Sequence, residues 1–247
     1  ALVHHDQGRF GKDESEWLYA IDVYDAQKTD DPAARDIKAK CYNNLAMLCE
    51  LDGRFKMAET DYNKALSIWR QLVDDNPKWP SYRRSLALCH NNLGVLFARQ
   101  ERWQEAERAH NQARDIRQRL AETHAEVPVY QNELASSYNN LGHLYHDTDR
   151  VQEAKASYVQ AIETCQPIAR AFPAVTLFSS NLAASYNNHG ALCMATEKYK
   201  AALASFHQAR DTFSRLASNH TDVPAFRAHT AGVHDNLGFV YQKQKQF

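Results

Sequence analysis

Pairs of side chains that can donate and accept hydrogen bonds return at a fixed interval along this chain. The second residue of each pair recurs every 48 residues: Asn44, Asn92, Asn140, Asn188 and Asn236. The first residue of each pair is, in the same order, Asn43, Asn91, Asn139, Asn187 and Asp235. A carboxamide donates two hydrogen bonds and accepts others, so a row of them can hold the N–H and C=O groups of an extended peptide. The pattern predicts a peptide-binding ladder that is largely independent of the peptide's side chains.

The same asparagines could instead hold the protein itself together. Amides on neighbouring copies could bond to one another and fix the twist of the stack without any ligand. The residue before each pair could supply further partners: Tyr42, His90, Tyr138, Tyr186 and His234. The two interpretations are compatible if the inner asparagine of each pair is structural and the outer one faces a ligand.

Neighbouring residues one or two turns along the same helical face, apolar and polar, would provide selectivity. Arg99, His143 and His146 lie within two turns of an asparagine pair, and we include them among the candidate partner-binding residues. His143 and His146 have a spacing that can share a metal ion on a helix. No other copy repeats them, however, so we predict no metal site. The chain also lacks a nucleophile motif and a glycine-rich phosphate loop, so we predict no catalysis and no cofactor.

Two amphipathic helices per 48-residue unit would position these residues. Leu134, Tyr138, Leu141 and Tyr145 fall on one face of a first helix, and a polar break follows at 147–150. The second helix repeats a small residue, a large ring and another small residue: Ala58, Tyr62, Ala65; Ala106, His110, Ala113; Ala154, Tyr158, Ala161; Ala202, Phe206, Ala209. Alanines let the helices approach closely while the ring fills the gap. Charged starts such as Glu101-Arg102 and Lys198-Tyr199-Lys200 are interpreted as solvated.

This pattern resembles the tetratricopeptide repeat. The first helix of that repeat has an aromatic residue, Leu-Gly and Tyr at the relative positions found here within 138–145. Its second helix has Ala, an aromatic residue and Ala at the relative positions found here within 154–161. That repeat has 34 residues; the longer unit here extends each helix by about seven residues, or roughly 10 Å. The Asn-Asn-Leu-Gly segment is similar to the long-repeat subgroup typified by kinesin light chain. The resemblance implies a right-handed superhelical solenoid of antiparallel helix pairs, with about eleven helices. It also implies a concave groove where first-helix residues, asparagines included, hold peptides.

The repeat boundaries predict one solenoid over residues 1–247. Its units are approximately 1–32 (partial), 33–80, 81–128, 129–176, 177–224 and 225–247 (partial). Gly8 aligns with Gly53, so the chain would begin inside a first helix and end after another one. We therefore expect a fragment of a longer array or protein.

Composition limits the partners and the location. The net charge is -1 with both signs interspersed, and there is no basic stripe, so nucleic acid is not an expected partner. No apolar run reaches about 18 residues and no signal peptide is recognisable, so no membrane association is expected. Five cysteines without a C-x-x-C pair indicate reduced core thiols and a cytoplasmic protein.

The first functional hypothesis is a scaffold that binds a protein or peptide in the concave groove. One alternative is a regulatory or sensor segment of a larger multidomain enzyme, such as a kinase or a caspase-like peptidase. A second alternative is an assembly element whose ends stack on each other.

Overall fold

The computed structural model describes residues 2–27 and 30–244, with side chains for 14–26 and 30–244. This part of the chain forms ten α-helices and no strand: α1 (Leu2–Gln27), α2 (Pro32–Leu51), α3 (Phe55–Asp75), α4 (Pro80–Arg99), α5 (Trp103–Thr123), α6 (Pro128–Asp147), α7 (Val151–Ala171), α8 (Thr176–Ala195), α9 (Tyr199–Asn219) and α10 (Pro224–Gln244). The all-α repeat fold is confirmed. The described residues form ten helices where about eleven were predicted, since α1 runs through Gly8 without a break. Ala1 and residues 245–247, at the outer limits of the first and last predicted units, lie outside the described residues.

The chain divides into two compact units, Ala1–Leu120 and Ala121–Phe247. Within each unit, consecutive helices pack as antiparallel pairs. In the pair α2–α3, the Trp69 indole donates to Asp36 at 2.8 Å, while the Tyr62 hydroxyl donates to Glu50 at 3.2 Å. The start of one helix therefore meets the end of the other. First helices also contact each other, α2 with α4 in the first unit, and α6 with α8 and α8 with α10 in the second.

Proline and left-handed residues set the limits of the helices. Proline occupies the first position of α2, α4, α6 and α10, where its missing N–H costs no helical hydrogen bond. The turns after α2, α4, α6 and α8 each contain one residue with positive φ: Gly53 (74°), Glu101 (58°), Asp149 (57°) and Glu197 (58°). The same turn is thus built in these four copies, three times by a residue other than glycine. No helix in the described part of the chain is both long and apolar enough to cross a membrane.

The core repeats with the sequence. The alanines of each second helix are buried, and Tyr62, Tyr158 and Phe206 fill the space between them. A Cβ atom added to Gly142 would lie 2.5 Å from the Tyr158 ring, so the two helices cross too closely for a side chain there. All five cysteines are unpaired and buried, as predicted. Burial raises the pKa of the Cys165 thiol to about 12, so it stays protonated at neutral pH.

Candidate functional site

The paired asparagines form hydrogen-bonded rungs between neighbouring first helices. In the first unit, Asn92 Nδ2 on α4 donates to Asn43 Oδ1 on α2 at 3.1 Å. In the second unit, Asn236 Nδ2 on α10 donates to Asn187 Oδ1 on α8, also at 3.1 Å. Each rung joins the first asparagine of one copy to the second asparagine of the next, 49 residues later. The carboxamides therefore have a structural role, as one of the two interpretations predicted.

The rung between α6 and α8 is replaced by a different arrangement. The same offset would make Asn188 donate to Asn139, but Asn188 Nδ2 lies 3.1 Å from His143 Nε2 instead. Asn139 Nδ2 donates to the Ser185 hydroxyl at 2.7 Å. The Asn139 carbonyl oxygen is buried and has no hydrogen-bond partner among the described residues. His143 has thus taken over the acceptor role that an asparagine has in the other rungs.

The two nitrogens of His143 face different partners. Nε2 accepts from Asn188, so the neutral ring carries its proton on Nδ1 and donates to the Tyr158 hydroxyl oxygen, 3.3 Å away. Loss of solvent around these nitrogens lowers the pKa of His143; Asp147 opposes this shift and His146 adds to it. The ring is therefore neutral at pH 7, although its outer edge is exposed.

His146 lies on the same face but takes no part in this network. It is exposed, and its Nδ1 is 3.5 Å from the Asp147 carboxylate. Within the described ranges, no group of three or more His, Cys, Asp or Glu side chains is arranged to hold a metal ion.

The paired residues differ in what remains available for bonding, and only the first pair separates a buried from a partly exposed asparagine. Asn43 is 4% exposed, whereas Asn44 and the asparagines of the later pairs are partly exposed. Asn92 and Asn236 each use one N–H in a rung, which leaves the second N–H and the carbonyl oxygen without a partner in their own units. Asn91 and Asn140 also interact with other residues of the protein. Asp235 is exposed on α10.

A cavity of about 440 Å³ brings three of the predicted residues together in the second unit. Its lining includes Asn187, Asn188, Asn236, Phe213, His229 and Gly232. The His229 ring stacks on Phe213 with a centroid distance of 4.9 Å. His229 and Gly232 were not predicted from the sequence. They precede Asn236 by two turns and one turn of helix, so helical spacing from Asn236 could have identified both.

Arg99 in the first unit is held by an internal partner. Its Nη1 lies 2.9 Å from Glu50 Oε1, and its guanidinium lies 5.6 Å from the centre of the Phe55 ring. Glu50 also accepts from Tyr62, whose pKa is raised by burial and by this neighbouring carboxylate. A ligand carboxylate at Arg99 would therefore have to compete with Glu50.

The helices form antiparallel pairs, and an alanine–ring–alanine contact closes each pair. Side-chain rungs join neighbouring first helices. These features define a helical-repeat protein of the interaction-scaffold class. The family model for the tetratricopeptide repeat matches residues 38–119 and 83–166, which together cover slightly more than half of the chain. The chain belongs to the tetratricopeptide repeat family, as its sequence predicted.

Solved structures show the same fold at low sequence identity. BtubC (BKLC) from P. vanneervenii is 18% identical, with a TM-score of 0.63 over 96% of this chain and 93% of that one. The apo form of RapI is 15% identical, with a TM-score of 0.55 over 94% and 72%. The yeast histone chaperone Hif1, a scaffold protein recruiting protein complexes to core histones, is 13% identical, with a TM-score of 0.54 over 85% and 97%. No curated protein sequence matches this chain.

Proposed function

We propose that this protein is an interaction module that holds an extended segment of a partner protein on the first-helix face of its second unit. Asn188 and Asn236 would bind the peptide backbone, while Asn187 holds the wall of the site. The buried, unpaired cysteines support a reducing, cytoplasmic setting for this activity.

The cavity between α8, α9 and α10 carries this proposal. Two second-position asparagines from neighbouring first helices line it, and each commits one N–H to another side chain. The remaining N–H and carbonyl groups match the donors and acceptors of a peptide unit. Packed helices lie about 8–10 Å apart, and three residues of extended chain span about the same distance. Backbone groups at peptide positions i and i+3 would therefore reach successive asparagines.

Peptides selected from a random dodecamer display library on the native protein provide the test. Their affinities would be measured for Asn188→Ala and Asn236→Ala, and for Gln208→Ala, a matched loss of an exposed amide on the outer helix α9. We expect each inner substitution to weaken binding about 5- to 15-fold, as loss of one hydrogen bond of about 1–1.5 kcal/mol implies. The Gln208 variant should bind normally.

If the asparagines bind the peptide backbone, binding should depend on the peptide's N–H groups. N-methylation of the peptide at the contacting positions should reduce affinity more than alanine replacement of most of its side chains. The proposal fails if selected peptides bind the Asn188 and Asn236 variants as tightly as the native chain, or if N-methylation has no effect.

Self-association through α10 is a second candidate function, and the exposure of this helix supports it. Phe239 and Tyr241 are 47% and 44% exposed, and Gly238 has no atom within 4 Å of a potential Cβ. Light scattering should show a molar mass that rises with concentration, and Phe239→Lys should abolish the rise. Leu237 is unsuitable for this test because it is buried in the core of the second unit. A constant monomer mass would eliminate this candidate.

A further inference from the structure

In the first unit, an ion pair of one kind recurs between α1 and the residue before α3, and between α3 and the residue before α5. Arg54, just before α3, binds Glu14 of α1 through two hydrogen bonds of 2.7 and 2.9 Å. Arg102, just before α5, binds Glu59 of α3 in the same way, at 2.6 and 3.0 Å. The two arginines occupy one repeat position and the two glutamates another. We call this two-residue arrangement the clasp.

The next clasp positions in the second unit, on α7 and just before α9, both have lysine. Lys198 aligns with Arg102, and Lys155 of α7 aligns with Glu59. The other partners of the arginine are also lost. Arg102 contacts Glu105 at 2.6 Å and lies 4.3 Å from the centre of the Phe97 ring. The residues at these two positions in the fourth copy are Ala201 and Cys193.

The two lysines leave the clasp positions of the second unit with positive charge only. Both are exposed, and no ion pair to either is present among the residues that the structure describes. Burial raises the pKa of the Cys193 thiol, and the charges of Lys155 and Lys198 both oppose that rise, so both cations act on the same side chain. The first turn of α9 has no acidic residue. Glu197 is next to Lys198 in sequence, but the equivalent Glu101 forms no ion pair with Arg102, which pairs with Glu59 and Glu105.

We propose that Lys155 and Lys198 form a docking site for an aspartate or glutamate side chain of a partner protein. The partner's carboxylate would take the place that the glutamate carboxylate fills in the two described clasps. A carboxylate is the occupant favoured by the structure because, in both described clasps, a glutamate carboxylate contacts the cationic side chain at the other clasp position. This site uses residues of α7 and α9 and none of the asparagines, so it is independent of the proposed peptide site.

NMR titration of the ¹⁵N-labelled protein with acetyl-hexaglutamate amide tests the proposal. At about 0.15 M salt, where long-range attraction between exposed charges is largely screened, the amide shifts should concentrate at residues 155–156 and 198–201. Hexaglutamine should cause none. Lys155→Glu or Lys198→Glu should weaken binding at least tenfold. Lys200→Glu, the same charge change at another exposed lysine, should keep most of the affinity.

Three results would overturn the proposal: absence of binding to the native protein, shifts spread over all basic surfaces, or an equal loss of affinity in the Lys200 variant. A second measurement does not depend on the peptide. Lys155→Glu should rebuild the clasp with Lys198 and raise Tm by about 1–4 °C. A lower Tm would mean that the two positions do not face each other, which would also overturn it.

Discussion

Gly142 and Gly238 occupy the same repeat position in different surroundings, which allows a direct test of how closely paired helices approach. A methyl group on Gly142 would lie 2.5–2.9 Å from three atoms of the Tyr158 ring. On Gly238 it would have no neighbour within 4 Å. Comparing the single variants Gly142→Ala and Gly238→Ala therefore separates the cost of the contact from the gain in helix propensity.

The propensity gain should be the same in both variants, while only one experiences the contact. Alanine is favoured over glycine inside a helix by about 0.8–1 kcal/mol, so Gly238→Ala should raise the free energy of unfolding by up to about 1 kcal/mol. Overpacking in a filled core costs about 1–3 kcal/mol. The Tyr158 ring is 2% exposed and hydrogen-bonded to His143, so it has little freedom to move away. We therefore expect Gly142→Ala to be about 1–3 kcal/mol less stable than Gly238→Ala.

The first copy shows how the repeat accommodates a methyl group at this position. It has Ala46 there, opposite Tyr62. The Tyr62 hydroxyl donates to Glu50, one turn farther along the first helix than the residue that Tyr158 contacts. A different anchor for the ring thus accompanies the larger residue. Gly142→Ala alone leaves the His143 anchor in place, so the methyl group and the ring compete for one space.

Urea unfolding at pH 7, followed by circular dichroism, would measure both variants against the native chain. Gly190→Ala serves as a second contact variant, because its Cβ would lie 2.7 Å from the Phe206 ring, which has no hydroxyl anchor. If Gly142→Ala and Gly190→Ala stabilise the protein as much as Gly238→Ala does, the helices are farther apart than described and the reasoning is refuted.

Three further predictions concern a rung, a buried histidine and a turn. A double-mutant cycle of Asn187→Ala and Asn236→Ala should give a coupling free energy of about 0.5–1.5 kcal/mol in urea unfolding; additive effects would contradict the rung. Burial, reinforced by Arg70, lowers the pKa of His90 to about 4. Above pH about 6.5, His90 is neutral in both the folded and the unfolded chain, and the protein keeps its full stability. As the pH falls towards 4, the unfolded chain binds the proton first, so the free energy of unfolding falls by up to about 3 kcal/mol. His90→Tyr should remove that part of the pH dependence in urea unfolding. Asp149→Gly relieves a positive φ of 57°. It should increase the free energy of unfolding by about 0.5–1 kcal/mol and raise Tm by a few degrees in calorimetry. A lower Tm would show that the aspartate is unstrained.

The fold could be predicted from the sequence because helix crossings demand particular side-chain volumes. Gly142, Tyr158 and the alanines beside that tyrosine form one contact, and the same set of sizes recurs in each copy at the same spacing. Local signals were less informative. Gly8 aligns with the turn glycine Gly53, yet α1 continues through it, and the left-handed turn residues Glu101 and Asp149 were not foreseen because neither is glycine.

The candidate site was only partly predictable because its hydrogen bonds join residues far apart in sequence. The asparagines were identified from their period, but the rungs use an offset of 49 residues, which depends on how the copies stack. The bond between His143 and Asn188 and the pairing of Arg99 with Glu50 arise in the same way. Arg102, in the predicted solvated start Glu101-Arg102, keeps 31% of its side chain exposed but also pairs with Glu59 of the preceding second helix, a contact that the local sequence did not indicate.

The rungs also explain why the two positions of each pair tolerate different residues. In the two described Asn–Asn rungs the first residue accepts and the second donates. An acceptor alone is sufficient at the first position, which is consistent with Asp235 in the last copy, since a carboxylate accepts but cannot donate. The second position needs a donor, and asparagine is present there in all five copies. An asparagine that gives one N–H to a rung still has an N–H and a carbonyl to offer. Stacking the repeats and holding a peptide backbone can thus share one side chain without competing for the same atoms.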